Sequence, residues 1–102
     1  MEGAEFDWDK GNLEHIAVYK VVREEVEEAL LGDPLEIDFG ITEEGEERWS
    51  YLGETSSARL LYIVITLRGD KVRVITAFDA EKHDKLFYLK TKAELQDGTK
   101  NS

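Results

Sequence analysis

The strongest constraint on this chain is the run from Glu47 to Asp79, ERWSYLGETSSARLLYIVITLRGDKVRVITAFD. Apolar and polar residues alternate through it, and turn-forming residues divide it into three short stretches, which is the pattern of consecutive antiparallel strands. Trp49, Tyr51 and Leu52 open the first stretch, which ends at Gly53 or Thr55. The run Leu60–Leu67 is apolar on both faces and predicts a central strand covered by helices on one side and by another element on the other. Arg68-Gly69-Asp70-Lys71 predicts a tight hairpin, with Val72–Phe78 pairing back against the central strand. On that last strand, strict alternation sets Val72, Val74, Thr76 and Phe78 on one face and Arg73, Ile75 and Ala77 on the other.

The residues before this run change period. Leu13, Ile16 and Ala17 recur at helical spacing and predict a short helix over Leu13–Lys20, capped by Asn12 or Asp9; Val22, Val26, Ala29 and Leu30 predict a second helix over Arg23–Leu31. Gly32 and Pro34 stop that helix, and its glutamates, Glu24, Glu25, Glu27 and Glu28, read as a solvated face. Leu35–Phe39 alternates as a half-buried strand, Gly40–Glu46 is an acidic loop, and Phe6–Asp9 has the alternation of a short edge strand. Asp79 is placed to cap a C-terminal helix over Ala80–Leu95. Two helices, a four-stranded antiparallel meander and a final helix make an α+β class domain.

With 102 residues the chain has material for one core, so a single domain over 1–102 is expected, with a loose, disordered tail over 96–102. The absence of cysteine excludes disulfides, thiolate catalysis and cysteine-held metals. His15 and His83 stand far apart, and Asp7–Asn12 departs from a calcium loop at Gly11 and Val18, so no metal and no cofactor is expected. An acidic start with no apolar signal run, and no apolar stretch of about 18 residues, predict a cytoplasmic protein with no membrane partner.

Charge is unevenly distributed. Residues 1–50 hold 16 Asp and Glu against 4 Lys and Arg, whereas residues 51–102 hold 7 against 9, within a net charge of −10. The meander carries Arg48, Arg59, Arg68 and Arg73 at regular intervals. Two readings stay open. Guanidinium forks on a sheet with aromatics suit single-stranded RNA phosphates, and the same arginines suit cross-strand pairing with Glu47, Glu54 and Asp70.

Several short motifs in fixed order narrow the choice. Phe6-Asp7-Trp8-Asp9, Asn12, Glu24-Glu25, Asp33-Pro34-Leu35, Glu47-Arg48-Trp49-x-x-Leu52-Gly53-x-Thr55, Arg59-x-Leu61, Thr66-x-Arg68-Gly69 and Arg73-Val74-Ile75-Thr76-Ala77 together resemble the BrnT family over roughly residues 6–89. Those proteins are toxins of type II toxin–antitoxin systems. The resemblance implies a RelE-like fold and a metal-independent endoribonuclease, neutralised by a BrnA-like ribbon–helix–helix antitoxin. The alternative is a non-catalytic family member acting as a protein-binding module.

By the same resemblance, Arg59 and Arg73 are the candidates for contact with phosphate. His15 or Glu47 is the candidate for proton transfer, and Arg68, Trp49 and Tyr19 for substrate contacts. The chain departs from the family at two places. Where the family has Lys-His-Gly between its first two helices, this chain has Val18-Tyr19-Lys20, and a phenol does not replace imidazole as a base near neutral pH. Where the family has Ala-Arg after the last strand and Glu-Arg in the final helix, this chain has Ala77-Phe78 and approximately Asp84-Lys85.

Overall fold

The computed structural model describes the backbone of residues 1–100 and side chains through Gln96. Helix α1 is Lys10–Ala17 and α2 is Arg23–Leu31; strands β1 (Leu35–Ile41), β2 (Glu47–Glu54), β3 (Leu60–Arg68) and β4 (Lys71–Asp79) follow, then α3 (Lys82–Lys100). The four strands pair antiparallel in sequence order, β1-β2-β3-β4, so the expected α+β class and meander are the observed ones. The tail expected over 96–102 falls mainly on residues whose side chains, or whose whole placement, lie outside those described.

Helix α1 starts three residues earlier than the apolar spacing predicts. Asp9 rather than Asn12 is its cap: the Asp9 carboxylate accepts from the Asn12 N–H at 3.1 Å while the Asn12 Oδ1 accepts from the Asp9 N–H at 2.9 Å. This reciprocal pair satisfies two backbone donors that a helix start leaves open, so Lys10 and Gly11 join the helix despite offering nothing to the core. The chain leaves α1 through Lys20, which takes a φ of +59°. That left-handed conformation strains an ordinary side chain and suits glycine.

Both helices lie on one face of the sheet. Ile16, Val21, Val26 and Leu30 pack with Leu61, Ile63, Ile65, Val72, Val74 and Ala77, with Trp49 and Tyr51 at the margin. Close approach of α2 to β2 needs Gly53, where a Cβ would sit 3.0 Å from both the Ala29 Cβ and its carbonyl oxygen. The glutamates of α2 are not simply solvated. Glu27 accepts from the Trp8 indole at 2.8 Å, Glu28 from the Ser56 hydroxyl at 2.7 Å, and Glu25 holds Arg59.

On the opposite face α3 covers one end only, with its Tyr88, and Ala80 just before the helix, against Leu52 and Leu60 and with Leu35, Ile37 and Tyr62 alongside. Lys92 of α3 bonds the Asp33 carbonyl and carboxylate, both at 2.8 Å. The helix begins at Lys82 rather than Ala80, because Asp79 belongs to β4, where its carboxylate is taken by Arg59. The expected front strand reduces to one parallel bridge, Phe6 to Val72, on the outer edge of β4.

Strict alternation fails on β4. Val64 pairs with Thr76 and the next residue, Ile65, pairs with Val74, so Ile75 is an extra residue on β4. Such a bulge reverses the side-chain order beyond it. Ala77 therefore joins Val72 and Val74 beneath the helices, while Thr76 and Phe78 share the other face with Arg73, opposite Val64, Tyr62 and Thr66. The expected grouping of Thr76 and Phe78 with the valines is thereby corrected.

Candidate functional site

The part of the α3-side sheet face that α3 leaves open carries Tyr62, Thr76, Phe78 and Arg73. His15 reaches it from α1, its Nε2 lying 3.0 Å from the Thr76 hydroxyl. Four rings then follow one another: His15 meets Tyr19 edge-on at 5.8 Å, Tyr19 meets Phe78 at 5.7 Å, and Phe78 stacks on Tyr62 at 5.2 Å and 6° from parallel. The Tyr62–Phe78 pair is a cross-strand stack, Tyr62 standing opposite Phe78 on neighbouring strands. The bulge at Ile75 is what places Thr76 and Phe78 beside His15 and Tyr19.

Arg73 stands on this face by register, and its charge is already met. Its Nη1 lies 2.9 Å from an Asp9 carboxylate oxygen and 3.6 Å from Asp7, and its Nη2 donates to Asp9 at 3.3 Å. Nη1 is fully enclosed with no N–H aligned on an acceptor, so attraction of charge rather than directional bonding holds it. The side chain is 14% exposed. Hydrogen bonding to Arg73, and to the Asn12 backbone, holds the Asp9 carboxyl below its usual range.

Arg59 is bound more completely. Its Nε donates to Asp79 at 2.6 Å and its Nη1 to both Glu25 oxygens at 3.0 Å, while the Lys20 and Tyr19 carbonyls accept from Nη1 and Nη2 at 2.8 and 3.3 Å. The guanidinium thus ties β4, α2 and the α1–α2 connection together, with its pKa raised by Asp79 first and Glu25 after. Through the Tyr19 carbonyl it fixes the backbone that carries the Tyr19 ring. The cross-strand partners expected for these arginines, Glu47, Glu54 and Asp70, are not the ones that hold Arg59 and Arg73.

The remaining expected residues lie apart from His15. Trp49 faces the helices, packs on the core and meets Phe39 at 5.3 Å. Glu47, at the start of β2, lies on that same side by alternation, and its backbone carbonyl accepts from the buried Thr66 hydroxyl at 2.7 Å. Arg68 is exposed at the β3–β4 hairpin. Tyr62, Thr76 and Phe78 were not identified from sequence. The side on which Thr76 and Phe78 stand depends on the bulge, which the sequence does not mark.

A cleft of about 350 Å³ lies where this face meets the first turn of α3, between Ile37, Asp38, Tyr62 and Phe78 on the sheet and Glu81, His83 and Asp84 on the helix side. Among the described residues no group of three or more His, Asp or Glu side chains is arranged to hold a metal ion. No helix among them is long and apolar enough to cross a membrane.

Searches for similar curated proteins and solved structures find no match. A family model described as the ribonuclease toxin BrnT of type II toxin–antitoxin systems matches residues 8–84. That span runs from Trp8, beside the α1 cap, to Asp84 in the first turn of α3, and it includes the whole sheet and the His15–Thr76 contact. By that match the chain belongs to the BrnT family of type II toxin–antitoxin ribonuclease toxins.

Proposed function

We propose that the chain is a toxin that cleaves RNA without a metal ion, that His15 carries the proton transfer, and that a ribbon–helix–helix antitoxin neutralises it. The observation that carries this reading is the His15–Thr76 contact at 3.0 Å on the rim of an aromatic sheet face. Imidazole takes up and releases a proton in neutral water, and a hydroxyl on one ring nitrogen holds the ring in place for the other to act. In this reaction His15 removes the proton of a ribose 2′-hydroxyl and the 2′ oxygen attacks the adjacent phosphorus. The bond to the 5′ oxygen breaks, leaving a 2′,3′-cyclic phosphate and a 5′-hydroxyl that takes its proton from solvent.

Tyr19, Phe78 and Tyr62 supply ring faces on which bases stack, a contact worth about 1–3 kcal/mol per base. Arg73 is the cation of this face for the charge that develops on phosphorus, and RNA competes for it with Asp7 and Asp9. Arg59 keeps a positioning role beneath Tyr19. Glu47 and Trp49 stand on the helix-covered side, and Arg68 contributes an outlying phosphate contact from the hairpin. Incubation of the purified chain with labelled single-stranded RNA in excess chelator tests the reading. Cleavage to cyclic-phosphate ends, lost in His15→Ala and weakened in Arg73→Ala, supports it; intact RNA contradicts it.

One observation favours a second reading, a family member that binds a protein and does not cleave RNA. Both arginines expected at phosphate are held by carboxylates, and Tyr19 and Phe78 occupy positions where the family pattern has histidine and arginine. The same incubation separates the two.

A further inference from the structure

The cleft between the sheet and α3 holds carboxylates that the RNA reading leaves unused, beside two rings that it uses. Its floor is the Tyr62–Phe78 stack and its wall is Ile37, and three carboxylates, Asp38, Glu81 and Asp84, stand around it. Asp84 is only 17% exposed at its side chain, so its charge is partly withdrawn from water. The one basic side chain among the lining residues is His83, with Nδ1 3.4 Å from Glu81 and Nε2 3.4 Å from Asp84. The start of α3 adds about half a positive charge, which three carboxylates outweigh.

A phosphate entering this cleft meets like charge from three sides, whereas a cation meets opposite charge and aromatic faces. Of the natural cations, guanidinium fits best: it is planar, stacks on rings, is less strongly hydrated than ammonium, and presents paired N–H groups to a carboxylate. We propose that this cleft is a docking site for an arginine side chain on a basic segment of a partner protein. The guanidinium lies against Tyr62 and Phe78, with its N–H groups directed to Asp84 and Asp38. An acidic first half, with 16 carboxylates against 4 basic residues, draws such a segment in. Phe78 is shared with the Tyr19–His15 row, so an occupant of the cleft also covers the end of the proposed RNA face. The proposal stands whether or not the chain cleaves RNA, because its test reads binding alone.

The test titrates the full chain with an acetylated, amidated hexapeptide of alternating glycine and arginine, with its lysine counterpart, and with a single-stranded hexanucleotide RNA, following ring and amide signals by nuclear magnetic resonance. The expected result is saturable shifts at Tyr62, Phe78 and Ile37 with the arginine peptide, at least about fivefold weaker binding of the lysine peptide, and about tenfold weaker arginine binding in Asp38→Asn/Asp84→Asn. The side-chain amides keep the shape of the carboxylates, and an unchanged urea midpoint shows that the variant is folded. Equal binding of the two peptides, arginine binding unchanged in the variant, or shifts confined to other surfaces overturns the proposal. So does RNA that saturates the Ile37 and α3 side of the cleft more tightly than the arginine peptide does.

Discussion

Arg59 and Asp79 meet through two bonds, Nε to Oδ1 at 2.6 Å and Nη2 to Oδ2 at 3.2 Å, and the remaining fork of the same guanidinium holds Glu25 across the α1–α2 connection. One side chain, 23% exposed, therefore joins three parts of the fold. Its removal leaves Glu25 and two backbone carbonyls without their donor. Arg59→Ala is expected to lower unfolding free energy by about 2–3 kcal/mol, read from urea denaturation. Arg59→Lys recovers less than half of that, because an ammonium cannot span both carboxylates.

Acid weakens the fold through the same groups. The Asp79 carboxyl is held below its usual range by Arg59, that of Asp9 by Arg73, and that of Asp33 by Lys92. A carboxyl with a depressed folded-state pKa adds stability that is present above the unfolded-state value near 4 and is lost as pH falls through the folded value. The urea midpoint is expected to hold level from about pH 7 to 5 and to fall below about pH 4. In Arg59→Ala the fall is shallower, since Asp79 has lost the partner that depressed it.

Alkali acts at Tyr88. Burial first, and Glu54 second, push its phenol up to about 12. The unfolded tyrosine ionises near pH 10 while the folded one stays neutral, so stability is full below about pH 10 and declines between about 10 and 12. Tyr88→Phe flattens that decline in a pH series of thermal melts. It does not abolish it, because Tyr51 is raised in the same direction by burial and Glu36.

Asn12 is buried and uses both ends of its amide. It donates to the Asp7 carbonyl at 3.0 Å and to the Val74 carbonyl at 3.3 Å, and it accepts from the Asp9 N–H. Asn12→Ala leaves those groups unpaired and is expected to cost about 2–3 kcal/mol. It also loosens the edge that carries Asp7 and Asp9, so Arg73 is freed. Urea denaturation measures the first effect, and hydrogen exchange at residues 5–9 measures the second.

The parts of the fold set by local rules were legible in the sequence, and the parts set by register were not. Leu60–Leu67 reads as a central strand because it is apolar on both faces, and both are covered at its Leu60 end. Arg68–Lys71 reads as a hairpin because Gly69 takes a φ of +62°. Nothing in Val72–Phe78 marks Ile75 as the extra residue, since every residue there suits either face of a strand. The site depends on that one residue: without the bulge, Thr76 and Phe78 would lie beneath the helices and His15 would have no partner on the sheet. Arg59 and Arg73 stood out as candidates only through the family resemblance, and the carboxylates that hold them come from segments distant in sequence.

The proposed role of His15 is to move a proton on this face. The most direct measurement is a map of RNA 5′ ends in cells induced to express either the chain or its His15→Ala variant at equal protein level. The predicted result is new 5′-hydroxyl ends with the unaltered chain and at least about a hundredfold fewer with the variant. Intact RNA with the unaltered chain, or the same ends at the same level with the variant, would contradict it.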